Sequence, residues 1–196
     1  MDLIGPRTME FCRRWGIADQ VIACPYNPDH PQDNVWLESF GGFEFGREPF
    51  PSPRTEALPP QSPMKRERCP QDMFDPIMRR WVESMPLASL RYNTELIDFE
   101  ESGHGVRARV RGPDGEQTIC CDYLVGADGP RSKTREALGF SLGGETGVQR
   151  DFMGGRMCAV YLRAPDFYKV VPHAPAWMYV TFNDDRRTFM AAVDGK

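Results

Sequence analysis

The stretch Cys121-Asp122-Tyr123-Leu124-Val125-Gly126-Ala127-Asp128-Gly129-Pro130-Arg131-Ser132 decides how this chain is read. The apolar run over 119–125 predicts a strand leading into Gly126, and residues 131–138 predict a helix directly after it. Asp128 then falls just past a strand end, between small residues. In α/β sheets, ligands bind beyond the carboxyl ends of strands. Glycine at such a place admits a close backbone approach, and the start of the following helix offers free N–H groups to an anion. Asp128 can accept hydrogen bonds from sugar-like hydroxyls. Taken alone, the motif admits two readings. One is a nucleotide-type contact. The other is a plain strand–turn–helix, with Asp128-Gly129 as the turn and Ser132 as the helix cap.

Working outward, Val106, Ala108 and Val110 alternate with Arg107, Arg109 and Arg111. That predicts a strand with one solvated, charged face. Pro113-Asp114-Gly115 marks the turn back toward residue 119, and Leu96 and Phe99 suggest a further strand. Upstream, Phe74, Ile77, Met78, Trp81, Val82 and Met85 follow helical spacing. Pro76 is expected in the first turn of that helix and Pro86 at its end. Six prolines over residues 49–63 exclude a helix or central strand there. Val35-Trp36-Leu37 suggests a strand, and Gly41, Gly42 and Gly46 suggest turns around Phe43-Glu44-Phe45. The chain opens almost at once into a helix, with Pro6 at its first position and Gly16 at its end. In the tail, residues 157–162, 177–182 and 188–193 read as successive strands of an antiparallel sheet.

The 196 residues are enough for a sizeable core, and 40% hydrophobic with 27% charged residues marks a globular chain. The net charge of −4 comes with no extended Lys/Arg block, so nucleic acid is not an expected partner. No apolar run reaches the length that spans a bilayer, and no signal peptide opens the sequence, so a soluble protein without membrane attachment is expected. None of the six cysteines forms a C-x-x-C pair, and the three histidines stand apart, so no zinc site is expected. The thiols read as buried side chains of a cytoplasmic, reducing compartment.

The Asp128 stretch resembles the Asp-Gly motif of the group A flavoprotein monooxygenases, the FAD-dependent aromatic-ring hydroxylases typified by para-hydroxybenzoate hydroxylase and phenol hydroxylase. Three further stretches agree in order and spacing. Residues 5–17 resemble the helix after the family's first FAD-contacting loop. Residues 69–78 resemble the segment whose glutamine reaches the ribityl region of the flavin. Tyr161-Leu162-Arg163-Ala164-Pro165-Asp166 resembles a strand of the substrate domain. The resemblance implies an α/β (α+β) fold, with a partial FAD-binding Rossmann-like domain over 1–150 and the start of a substrate-binding β-sheet domain over 151–196. It implies FAD contacts at Asp128, Gly129, Gly126, Gln71 and, at the flavin or substrate edge, Arg7. It also implies FAD as cofactor, NADH or NADPH as electron donor, and a small aromatic substrate, typically a phenol, that receives one oxygen atom from O2. Tyr161, Tyr179 and His173 fall in the expected substrate domain, and the sheet or loop reading of each outweighs a catalytic one.

Two family motifs are absent. The G-x-G-x-x-G turn that cradles the FAD pyrophosphate is missing, since Gly41-Gly42 and Gly143-Gly144 lack its spacing. The second flavin motif, Gly-Asp before a helix, is also missing. The sequence is therefore expected to be truncated at both ends, and the isolated chain to bind FAD weakly or not at all. Two other readings stay open: a flavin-fold relative with different chemistry, such as an epoxidase or reductase, and a non-catalytic remnant or interaction module.

Overall fold

A computed structural model describes residues 2–144 and 158–194. These residues fall into two compact units, one formed by 2–86 together with 158–194, the other by 87–144.

The first unit starts with β1 (Leu3–Ile4) and α1 (Pro6–Arg14). Pro6 takes the first helical position, where its missing N–H costs no intrahelical bond, and Arg13 and Arg14 face the negative end of the helix dipole. Gly16, at φ +75°, ends the helix as the sequence predicts. After α2 (Ala18–Ile22) come β2 (Asn34–Leu37), β3 (Glu44–Glu48), the proline-rich stretch without helix or strand, and β4 (Glu67–Arg68). The turn expected around 43–45 falls earlier, at residues 38–42, and Glu44, Phe45 and Gly46 lie within β3.

The next helix, α3, spans Gln71–Glu83. It begins earlier than the apolar spacing suggests, because the Pro70 carbonyl accepts hydrogen bonds from the Met73 and Phe74 N–H groups and opens the first turn. Pro76 consequently lies inside the helix rather than in its first turn. The end also falls short of Pro86: Ser84 caps α3, its N–H bonding to the Arg80 carbonyl at 3.0 Å. Met9 and Cys12 of α1 pack with Ile17, Ala18, Val21, Cys69 and Ile77 in one core, and Trp15 stacks on Trp81 at 4.8 Å.

The second unit is a meander of β5 (Glu95–Ser102), β6 (Gly105–Gly112) and β7 (Gly115–Cys121), followed by the short α4 (Lys133–Ala137). Gly115, at φ +101°, makes the turn after Pro113-Asp114. Arg109 and Arg111 lie on the outer face of β6, where Arg109 pairs with Asp98 and Arg111 with Glu116. The strand expected over 119–125 stops at Cys121. Residues 123–129 join no ladder, and Tyr123 and Val125 are 87% and 83% exposed.

The tail returns to the first unit with α5 (Phe167–Val170), β8 (Met178–Phe182) and β9 (Arg187–Ala191). β8 runs parallel to β2, giving a four-stranded sheet in the order β3-β2-β8-β9. Two of the three expected tail strands therefore form. They do so beside residues 34–48, within the first unit. Residues 158–162 form no strand, and Val160, Tyr161 and Leu162 stay exposed without a ladder partner. Met157 lies outside the described residues. Tyr179 is fully buried with Val35, Leu37 and Ala176, its hydroxyl accepting the Ala176 N–H at 2.8 Å. Arg47 of β3 donates to the carbonyls of Ala174 and Pro175, tying β3 to the approach to β8. The fold is mixed α and β, as expected, and β2–β8 is the parallel pair among the described residues. No helix among the described residues is long and apolar enough to cross a membrane.

Candidate functional site

In the second unit, the candidate site is a local arrangement around the start of α4. Asp128 is exposed, and its Oδ2 accepts hydrogen bonds from the Thr134 N–H at 3.1 Å and the Thr134 hydroxyl at 3.2 Å. Ser132 caps the helix, its hydroxyl accepting the Arg135 N–H at 2.9 Å. Hydrogen bonds from the Ser132 side chain and the Thr134 backbone hold the Asp128 carboxyl down at about 2, well below the ordinary aspartate value. The carboxylate is thus ionised at neutral pH and preorganised. The helix-cap reading of this motif is real. It leaves the carboxylate facing solvent, where it can also accept a hydroxyl.

The two glycines here do different work. A Cβ at Gly126 would lie 2.8 Å from the Cβ and Cγ2 of Thr134, so Gly126 is what lets Thr134 reach Asp128. Its smallness is used for packing. Gly129 has φ +78°, and a Cβ added to it would meet nothing within 4 Å, so it supplies a left-handed backbone beside open space. Thr134 is the participant that the sequence did not single out. Its distance of six residues from Asp128 matches no common capping pattern, and the one clue was a small residue at 126.

In the first unit, Arg7 and Gln71 each stand at a helix start. Gln71 is the first residue of α3 and exposed, with no side-chain hydrogen bond among the described residues. Arg7 is 79% exposed. It pairs with Glu10 at 2.9 Å and lies over the Phe11 ring at 4.8 Å, while Glu10 is held in turn by the Ser62 hydroxyl at 2.7 Å. β1 and β4 are antiparallel, with Leu3 opposite Arg68 and Ile4 opposite Glu67. α1 follows one strand of this ladder and α3 the other, and no hydrogen bond joins Arg7 to Gln71 among the described residues. Behind the ladder, Arg68 pairs with Asp2 at 2.8 Å and lies 4.0 Å from the Trp177 ring, and the Trp177 indole N–H donates to Asp2.

Tyr179 is a core residue, Tyr161 lies on the exposed, unpaired stretch, and His173 Nδ1 lies 3.3 Å from Glu44. No cluster of three or more metal-ligating side chains occurs among the described residues.

An exposed ionised carboxylate beside a left-handed glycine, an exposed carboxamide and an exposed guanidinium are each groups suited to a ligand rich in hydroxyls and phosphates. Comparison with known proteins agrees with this chemistry. The FAD binding domain family matches residues 2–195, and the chain belongs to that family. It is 34% identical over 190 residues to aklavinone 12-hydroxylase DnrF of Streptomyces peucetius subsp. caesius, covering 94% of this chain and 37% of that protein. It is 35% identical over 141 residues to a phenol 2-monooxygenase of Pseudomonas sp. (strain EST1001), covering 69% and 23%. The solved structure of the rebeccamycin biosynthetic enzyme RebC with reduced flavin superposes with a TM-score of 0.81 at 27% identity, covering 100% of this chain and 36% of that one. The matches thus cover 37%, 23% and 36% of the length of these three proteins.

Proposed function

We propose that this chain serves an FAD-dependent monooxygenase that hydroxylates a phenolic or other aromatic ring, with NADH or NADPH as electron donor and O2 as oxygen source. The observation that carries this reading is the family match over residues 2–195, together with relatives that are themselves hydroxylases of named aromatic compounds. FAD, when bound, supplies the transfer of electrons from the nicotinamide and the activation of oxygen.

The chain's own residues bind and orient. Asp128 accepts a hydrogen bond from a hydroxyl of the cofactor, and Gly129 leaves the backbone beside it open to close approach. Gly126 seats Thr134, which fixes the Asp128 carboxylate. Gln71 offers its amide to the polyol region, and Arg7 offers charge at the flavin or substrate edge. Free thiols at all six cysteines support a reducing, cytoplasmic location.

The test uses the full-length protein supplied with FAD and NAD(P)H. NAD(P)H consumption should depend on an added phenol, and the product should carry one oxygen atom from O2. Consumption indifferent to every aromatic, with no oxygenated product, overturns the reading. Gln71→Ala should weaken FAD binding about tenfold, which corresponds to about 1.4 kcal/mol, with an unchanged melting temperature; flavin fluorescence titration reads this directly.

A further inference from the structure

Two cysteines far apart in sequence meet at the edge of the first core. Cys24 follows the end of α2, and its N–H bonds to the Val21 carbonyl. Cys69 lies between β4 and α3, its N–H held by the Asp2 carbonyl at 2.9 Å. The Cys24 thiol donates to the Arg68 carbonyl at 3.1 Å, which is the carbonyl of the peptide joining Arg68 to Cys69. Cys24 also packs against the core cluster that contains Cys69. Cys69 is fully buried, while Cys24 sits at the rim of the core, half-buried and reachable from solvent.

We propose that Cys24 and Cys69 form a redox-sensitive dithiol, which a peroxide oxidises to a disulfide linking the end of α2 to the entry of α3.

Their surroundings divide the roles. The neighbouring Cys69 thiol, able to donate to a thiolate, holds the Cys24 pKa down at about 7, so an appreciable fraction is thiolate at neutral pH. The same contact, with burial, raises that of Cys69. Cys24 is therefore the attacking sulfur and Cys69 the resolving one. The Cys24 thiolate attacks one peroxide oxygen, the O–O bond breaks, and a sulfenic acid forms at Cys24 while the other oxygen leaves and is protonated to water. The Cys69 sulfur then attacks the Cys24 sulfur. The S–S bond forms, the S–O bond breaks, and the hydroxide leaves as water with the Cys69 proton. Two thiols and one hydrogen peroxide give one disulfide and two waters, with both electrons passing from sulfur to peroxide.

Neighbouring thiols do not compete. Cys12 is buried in the same core, and burial raises its pKa and keeps it protonated. Cys120 and Cys121 belong to β7 of the other unit. Because Cys69 stands two residues before Gln71, the bridge would fix the start of α3 to the end of α2.

The experiment treats the fully reduced chain with a slight molar excess of hydrogen peroxide, unfolds it, counts free thiols and maps peptides without reduction. The titre should fall from six to four, two thiols being lost, and return with dithiothreitol. The map should show a peptide pair joined through Cys24 and Cys69. Cys69→Ser should instead leave a sulfenic acid on Cys24 that dimedone captures, and Cys12→Ser should leave the link intact. A titre that stays at six, a bridge between other cysteines, or over-oxidation of Cys24 without the bridge overturns the proposal. The peptide map of the unsubstituted chain decides the matter even if a variant fails to fold.

Discussion

The two units hold their candidate residues by different means. In the first, Arg7 and Gln71 stand on helices anchored by a packed interior: Met9, Cys12, Ile17, Val21 and Cys69 are all at or near zero exposure, and Val35, Leu37 and Tyr179 fill a second cluster under the four-stranded sheet. In the second, the buried apolar residues among those described are Ala108 and Val110, and the positions beside Asp128 that are buried, Ser132 and Thr134, are polar. One half is positioned by apolar packing from a distance, the other by hydrogen bonds within a few residues. A site of the first kind should fail only when the core fails. A site of the second kind should be sensitive to single atoms close by.

The largest expected effect belongs to the packed half. Met9→Ala should lower stability by about 2–5 kcal/mol, since it empties a fully buried position. Urea denaturation measures this, and a loss under about 1 kcal/mol would show that the core can collapse around the gap.

In the other half, Gly126→Ala drives a methyl into Thr134, 2.8 Å away, and should cost about 1–3 kcal/mol. It should also free the Thr134 N–H, seen as faster amide exchange at that residue. Unchanged exchange would mean that Thr134 reaches Asp128 without needing the glycine. Gly129→Ala meets no neighbour but must adopt φ +78°, for about 1–2 kcal/mol. Faster Thr134 amide exchange in Gly129→Ala as well would erase the distinction drawn between a packing glycine and a conformational one.

The smallest effect is that of pH. Asp128 is depressed to about 2 from an ordinary value of 3.8. Its contribution is therefore present above about 4 and disappears as the pH falls through about 2. Protection of α4 amides should decline across that window, and Asp128→Asn should remove the decline. A variant with the same pH profile as the parent would move the effect to another carboxylate.

Much of this arrangement was legible in the sequence wherever it depends on near neighbours. Pro6 and Gly16 bracket α1, the helical spacing of Ile77 and Trp81 locates α3, and Pro113-Asp114-Gly115 turns β6 into β7. The misreadings share a cause. Residues 158–162 and 123–125 have apolar character fit for strands, but a strand exists only with a ladder partner, and local pattern carries no information about partners. The parallel pairing of Asn34 with Met178 spans most of the chain and leaves no local trace. The same holds for Cys24 and Cys69. At the site, Asp128 announced itself through its glycine neighbours, whereas Thr134 became visible only once the turn had a shape. FAD as cofactor was reached through resemblance, because exposed Gln71 and Arg7 look like ordinary surface residues in composition alone.

The stacking of Trp15 on Trp81 has an optical consequence. All four tryptophans, Trp15, Trp36, Trp81 and Trp177, belong to the first unit, and residues 87–144 contain none; Tyr92 and Tyr123 are the phenols there. Selective excitation of indole therefore reports on one unit only. The stacked pair, with its rings 4.8 Å apart and 25° from parallel, is close enough for exciton coupling in near-ultraviolet circular dichroism. A single sample carries its own two-channel spectroscopic record, and the two units can be followed separately without attaching a label to either.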